Sequence, residues 1–453
     1  MNISLPIIDG PVATAQDEVA RISRGLSEAF LFDSDAGKYA FVVQGSQLFR
    51  TDEKTYAMLS DCKDDEQAMR AALKSLGCRL KPVADKPVPN PVSAISLAVS
   101  QKCNLACSYC YAEQGGFGQP QRSMSEEVAI GAIERLIRDV GTGNRVNIAF
   151  MGGEPLMNRR VLKSATQHAV KFATDHHVDV GFSITTNGTL LTPEDGDFFE
   201  EHGFAVTLSV DGLPSEHDHA RPDKQGNGTF NRLMDRVRPL LRQQRRMQVS
   251  VRSTVTPSSG SLVEFLQNMI DRGFHSVGVS PLLSSPTGNG EMNNRSLKRM
   301  LRQMIECGDE FQRAVAARRR YPFLNIVNAM QEIHRGSQRA LPCGAGDSYV
   351  GVGAEGDYYA CHRFVNDDER WMGDLQSGVS ETARTQWTSN RHVHMQEPCR
   401  SCWARYLCGG GCHHEVIHRG RSACEFIRGW LAYCLDAYAK LSAHSPWYFG
   451  VAD

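Results

Sequence analysis

The chain has 453 residues, a formal net charge of −1 and fourteen cysteines. A balance so near zero argues against a general nucleic-acid or membrane-surface binder. No run of eighteen apolar residues suggests a membrane span, and Met1 through Pro11 shows no basic-then-apolar export signal. Many cysteines without such a signal read as thiols kept reduced for metal or redox work in the cytoplasm, and the length leaves room for about three domains.

Residues 1–90 form the first expected domain, a small α+β unit. Lys38–Val43 and Ser46–Phe49 read as hairpin strands joined at Gln44-Gly45. Helical patterns follow over Asp52–Leu59 and Asp65–Leu76, the second stopped by Gly77. Such a unit suits peptide docking by edge-strand addition or a structural cap on the neighbouring domain, and docking is the preferred reading. Cys62 and Cys78 have no partner at ligand spacing and read as packed thiols. Lys81–Pro91 is a proline-rich linker.

Residues 91–325 alternate strand and helix. Ile95–Ser100, Asn147–Met151, Val180–Thr185, Phe204–Val210, Gln248–Thr256 and Ser276–Pro281 read as buried strands. Amphipathic helices are expected at Glu126–Val140, Arg160–Ala173, Phe230–Leu241 and Leu262–Asp271. Ser123 stands at capping-box spacing from Glu126, and Thr192-Pro193 reads as an N-cap with proline at the first helical position. The repeat predicts an α/β fold, a partial (β/α)6 TIM-like barrel, with chemistry at the C-terminal ends of its strands.

Directly after the first strand comes Cys103-Asn-Leu-Ala-Cys107-Ser-Tyr109-Cys110. Three thiolates so close can hold three irons of a [4Fe–4S] cluster and leave the fourth iron open to a small molecule. Half a zinc site, a disulfide fragment and chance burial are the bland alternatives. Zinc sites usually pair C-x2-C knuckles, which the extra Cys103 fits poorly. C-x3-C-x2-C with an aromatic before the third cysteine resembles the signature of radical S-adenosylmethionine (SAM) enzymes. In that family the open iron chelates SAM, and reductive cleavage releases a 5′-deoxyadenosyl radical.

Other strand ends add to the resemblance. Gly152-Gly153-Glu154-Pro155 resembles the GGEP motif that contacts the SAM amino group; by itself it is a tight turn. The resemblance places Tyr109, Ser183, Thr185, Asn187 and Ser209 at SAM and gives its carboxylate to Arg252, a good bidentate partner. Plain turn chemistry at Asn187-Gly188 and a barrel salt bridge for Arg252 are the structural alternatives. Asp211 faces the expected barrel mouth as a base or substrate anchor. His217, Asp218 and Arg221 line the substrate entrance or simply brace a loop. The arginine runs Arg236–Arg246 and Arg318–Arg320 suit an acidic peptide or, more commonly, a solvated helix face.

Residues 326–453 carry eight of the fourteen cysteines. Cys343-x12-Gly356-x4-Cys361 is followed by Cys399-x2-Cys402-x5-Cys408-x3-Cys412, then Cys424 and Cys434. A zinc knuckle would use only part of this array. The pattern resembles the SPASM extension of radical SAM peptide maturases, which implies two auxiliary [4Fe–4S] clusters, three clusters in all. The resemblance assigns Cys343, Cys361 and Cys412 to the first and Cys399, Cys402 and Cys408 to the second. If Glu425–Leu435 is helical, Cys424 and Cys434 lie roughly 15 Å apart and cannot share a cluster. Cys424 is therefore assigned to the second and Cys434 to the first, unless the first keeps an open or non-cysteine position. Cys307 reads as a packing residue.

Three segments, Asn104–Gly115, Ser280–Gly288 and Cys402–Glu415, are similar to the maturase of quinohemoprotein amine dehydrogenase. This resemblance implies intrapeptidyl Cys-to-Asp/Glu thioether crosslinks in a small cysteine-rich protein subunit. Hydrogen would be abstracted beside a substrate carboxylate, a substrate thiol would attack, and an electron would leave through the auxiliary clusters. Asp211 would act on the thiol, and a flavodoxin- or ferredoxin-type donor would supply electrons, with no nucleic acid or membrane involved. The alternatives are a formylglycine-forming sulfatase maturase, a maturase of another ribosomal peptide, and a non-catalytic iron–sulfur or zinc scaffold.

Overall fold

The computed structural model describes residues 27–81 and 88–450, so most of the linker lies outside the described residues. The first unit is an antiparallel sheet of β1 (Ala29–Ser34), β2 (Gly37–Val42) and β3 (Gln47–Thr51), followed by helices α1 (Glu53–Asp61) and α2 (Glu66–Ser75). Asp52 and Asp65 cap the helices by accepting backbone N–H bonds. Strand β2 is apolar on both faces because both are covered. Ala40 and Val42 meet Leu59, Met69 and Leu73, whereas Phe41 joins the main core. The expected two-strand hairpin gains β1, whose Phe30 stacks on Trp403 at 4.0 Å.

That stacking shows what the unit rests on. Ser27 N–H donates to Ser401 O, Arg405 Nη1 donates to Ser27 O at 2.7 Å, and the buried Glu28 carboxylate takes Arg70 Nη2 at 3.0 Å with Arg405 at 3.9 Å. The unit thus caps the C-terminal cysteine region through the buried Glu28 and Arg405.

Six parallel strands follow: β4 (Ala94–Ser100), β5 (Arg145–Gly152), β6 (Asp179–Thr186), β7 (Ala205–Ser209), β8 (Gln248–Val255) and β9 (Val277–Pro281). Around them run α3 (Glu126–Val140), α4 (Arg159–Asp175), α5 (Pro193–Glu201), α6 (Pro214–Ala220), α7 (Phe230–Gln243), α8 (Leu262–Asp271), α9 (Asn294–Ala316) and α10 (Leu324–His334). Alternation sorts the strand residues. Val146, Ile148, Phe150, Val206, Leu208, Val249 and Val251 are buried in the core, whereas Ala149, Ser183, Thr185, Thr207, Ser209, Ser250 and Thr254 alternate with them and are only half-buried. The second set is small and polar, so the inner face of the partial barrel is left roomy and wettable.

Two expectations at helix starts differ in outcome. Thr192 and Asp195 form the capping box of α5. The cap of α3 is Ser125, whose Oγ accepts from Val128 N–H, and not Ser123. Residues before it are held extended against β4: Met124 N–H donates to Val99 O, and Ser123 bridges Ser100. The helix therefore begins at Glu126 as expected, and only its capping residue differs.

The sheet does not stop at the expected boundary near 325. Strand β10 (Tyr349–Val352) pairs parallel with β4, Val350 opposite Ile95, and β11 (Tyr358–Tyr359), β12 (Trp371–Asp374) and β13 (Gly378–Val379) extend it to ten strands. Then come α11 (Glu381–Arg391), α12 (Arg405–Cys408), α13 (His413–Arg419) and α14 (Cys424–His444), the last bound to α9 through Tyr433 and Asp309 at 2.8 Å. Among the described residues no helix is long and apolar enough to cross a membrane.

Arg405→Leu should remove the donor to Ser27 O and leave the buried Glu28 carboxylate with Arg70 as its remaining partner. The expected loss is ~3 kcal/mol, seen as a lower urea midpoint together with lost amide-exchange protection in β1–β3.

Candidate active site

The cysteine loop is built by one backbone lying on another. Gly153 N–H donates to Ser100 O and Glu154 N–H to Lys102 O, both at 2.8 Å, so the tip of β5 supports the loop that leaves β4. A Cβ on Gly152 (φ +136°) would lie 2.2 Å from Ser100 O, and one on Gly153 would lie 2.4 Å from Lys102 O. Only glycine permits that approach. Glu154, expected at the SAM amino group, is instead fully buried. Its carboxylate accepts Thr186 Oγ1–H at 2.7 Å, Asn187 N–H at 2.8 Å and Leu156 N–H at 3.1 Å, locking β5 to β6. Burial nevertheless pushes its pKa up, against those bonds.

Cys107 and Cys110 stand close enough to Cys103 to disfavour its ionisation, and Cys110 acts on Cys107 in the same way. Burial, with those neighbours, pushes Cys103 up to about 12. Thiols in this state become ligands when a bound metal supplies positive charge, and the donor set fits a cluster. Asn187 serves this loop and is not presented as a free ribose ligand: its Nδ2 donates to Asn104 Oδ1 at 2.9 Å and to Cys103 Sγ at 3.9 Å, while its Oδ1 accepts from Thr189. Ser183 and Thr185 sit among the half-buried positions of β6. Ser209 lies beside Arg252 in register. Arg252 is exposed and its guanidinium makes no hydrogen bond or ion pair among the described residues; the carboxylate whose field it feels is Glu415.

Asp211 is buried and fully engaged. Oδ2 accepts from Arg221 Nε at 2.7 Å and from the Tyr109 hydroxyl, and Oδ1 accepts from Thr254 N–H at 2.7 Å. The carboxylate and the Tyr109 hydroxyl are thus hydrogen-bonded to each other and to groups of the protein. Arg221 does more than line an entrance: its guanidinium covers the Tyr109 ring at 5.5 Å and donates to Cys107 Sγ at 3.8 Å. His217 lies behind them, accepting Asp211 N–H and meeting Thr229 Oγ1, with burial pushing its pKa down to about 4. Asp218 accepts from Thr229 and Phe230 N–H at the start of α7. These two brace the loop.

The C-terminal thiols fall into two groups. Cys343, Cys361 and Cys412 act on one another. Cys399, Cys402, Cys408 and Cys424 do likewise, and with Cys412 they line one pocket. A cavity walled by thiols fits an iron–sulfur cluster. Cys434, expected in the first group, is not there: it is fully buried inside α14, and burial alone raises its thiol pKa. The first group therefore holds three cysteines and the second four. Thr189 and Arg363 belong to these surroundings without any sequence signal, since both lie outside the cysteine spacings, and Asn104 lies within one but carries no ligand atom the spacing would mark.

Residues 97–259 match the Radical SAM superfamily. The chain is 26% identical over 375 residues to a serine-type anaerobic sulfatase-maturating enzyme of Klebsiella aerogenes, covering 80% of this chain and 90% of that one. It is 23% identical over 362 residues to the radical SAM cyclopropyl synthase TigE of Paramaledivibacter caminithermalis, covering 74% and 72%. A solved structure, native anSMEcpe with bound AdoMet and Cp18Cys peptide, shares the fold with a TM-score of 0.63 at 18% identity, over 78% of this chain and 99% of that one. The radical SAM domain over residues 97–259 makes the chain a SAM-dependent enzyme. If the thiol groups are the ligand sets, Cys412→Ala lowers bound iron by up to about four per chain. Cys434→Ala leaves iron unchanged and costs only packing, both read by anaerobic reconstitution and iron assay.

Proposed function

We propose that this radical SAM enzyme is a peptide maturase, with one cluster on Cys103, Cys107 and Cys110 and auxiliary clusters on the two C-terminal thiol groups. The observation that carries the reading is that one ten-stranded sheet joins the barrel bearing that cysteine loop to the region bearing a seven-thiol array, in a chain similar over most of its length to a sulfatase-maturating enzyme. When bound and reduced, the cluster and SAM supply a carbon radical that removes hydrogen from a substrate carbon. The chain's own residues do the rest. Gly152 and Gly153 let the backbone close on the cysteine loop. The small polar side chains of β6, β7 and β8 leave space for an extended substrate. Arg252 offers a carboxylate-binding guanidinium, and Asp211 holds Arg221 and Tyr109 against the loop and is a candidate proton acceptor only when those donors move. The substrate we assign is a small protein or peptide, reduced equivalents coming from a flavodoxin- or ferredoxin-type donor in the cytoplasm.

Two products fit this reading. The sulfatase-maturating relatives favour oxidation of one Ser or Cys to formylglycine, and the comparisons support that product best. Relatives at the same level of identity carry different names, however, cyclopropyl synthase among them, so similarity of this order supports the class more than the product. A specific observation favours thioether formation: the three segments similar to the quinohemoprotein amine dehydrogenase maturase converge in space. The Tyr111 ring lies 6.5 Å from His414, and Leu283 lines the same pocket as Cys402, Cys408 and Cys412.

Incubation of the reconstituted enzyme with SAM, dithionite and each class of peptide decides between them. A thioether removes a pair of hydrogens and a titratable thiol and gives no carbonyl. Formylglycine gives a hydrazide-reactive aldehyde. Deoxyadenosine release with every peptide left unchanged would contradict the maturase reading.

A further inference from the structure

Two arginines stand in matching positions on either side of Cys110. Arg221 covers the Tyr109 ring at 5.5 Å, donates to Cys107 Sγ at 3.8 Å and pairs with Asp211 at 2.7 Å. Arg363 covers the Tyr111 ring at 5.1 Å, donates through Nη1 to Cys412 Sγ at 3.7 Å and pairs with Glu415 at 3.0 Å. Tyr109 and Tyr111 are the residues immediately before and after Cys110. Each arginine thus sits on a tyrosine of the same short loop, and each touches a cysteine of a different group. Tyr111 lies between the groups, near enough to Cys110 and Cys361 that both disfavour its phenolate.

The two arrangements differ in one respect. Nε of Arg221 is used by Asp211. Nε of Arg363 is buried and has no hydrogen-bond partner among the described residues. A buried guanidinium N–H left unpaired is costly, and here the guanidinium stands close to Cys361 and Cys412 of a group one cysteine short of four. An iron–sulfur cluster there would offer sulfide acceptors to that N–H.

We propose that Arg363 is a positioning residue that sets the reduction potential of the cluster held by Cys343, Cys361 and Cys412, with Glu415 as its opposing charge. This rests on the reading that those thiols hold a cluster. Reduction adds negative charge to the cluster, so a fixed cation and its N–H bonds to sulfur favour the reduced state and raise the potential. Glu415, paired with the same guanidinium, works in the other direction. Arg221 plays the corresponding part at Cys107, so the two clusters are tuned separately although their supports share one loop. The first auxiliary cluster is thereby made a better electron acceptor than its three thiolates alone would make it.

The test is potentiometric titration of the reconstituted enzyme followed by electron paramagnetic resonance, with Cys361→Ala identifying the signal of the first auxiliary cluster. Arg363→Gln should shift the reduction equilibrium of that cluster at least tenfold toward the oxidised form, ~59 mV for one electron, leaving the SAM-responsive signal in place. Glu415→Gln should shift it the opposite way, and Arg363→Lys, which keeps the charge, should lose less than half of what Arg363→Gln loses. Iron content and thermal unfolding serve as controls, and if Arg363→Gln does not fold, Arg363→Lys and Glu415→Gln still carry the sign. Unchanged midpoints in variants with full iron would overturn the proposal. If Cys343→Ala and Cys361→Ala lose no iron, the cluster assignment itself fails, which is a separate result.

Discussion

The backbone of residues 100–102 lies directly on the tip of β5, and the rest of the site depends on that contact. It exists because positions 152 and 153 have no Cβ; a methyl at either would overlap a carbonyl oxygen. The paired bonds from Gly153 and Glu154 then fix where the chain must be when it reaches Cys103. Glu154 transfers the same constraint sideways, because its buried carboxylate ties the end of β5 to Thr186 and Asn187 at the end of β6. Asn187 completes the circuit by donating back toward Cys103 and Asn104. A loop of three thiols, intrinsically mobile, is thus held by neighbours that are themselves held.

A second level of order comes from placing charge beside sulfur. Buried thiols resist ionisation, and the structure sets guanidinium groups against Cys107 and Cys412 while giving each arginine a carboxylate. The carboxylates keep the cations in place and temper their fields. The C-terminal region belongs to the same framework, since β10 continues the barrel sheet beside β4, and the N-terminal unit seals its far side through Glu28, Arg405 and Trp403.

Much of this was legible in the chain. The six parallel strands and their helices follow from periodicity, and the cysteine spacings announced the thiol groups. Other features were hidden for physical reasons. Strand β1 was missed because its Ala-Phe-Leu-Phe run does not alternate; one side meets Trp403, some 370 residues away. Glu154 looked like a ligand group because sequence shows a carboxylate but not that three donors already surround it. Cys434 looked like a ligand by number alone, and only the direction of α14 shows that it turns into the core. Arg221 and Arg363 carried no motif, since their meaning lies in contacts made across the fold.

The central claim is that three separate sets of thiols each hold one [4Fe–4S] cluster. Iron and sulfide content of the anaerobically reconstituted protein, with Mössbauer spectra, tests it most directly. About twelve irons per chain with matching sulfide, all in cubane clusters, is the expected result. About four irons per chain, or zinc retained in place of iron by the C-terminal thiols, would contradict it.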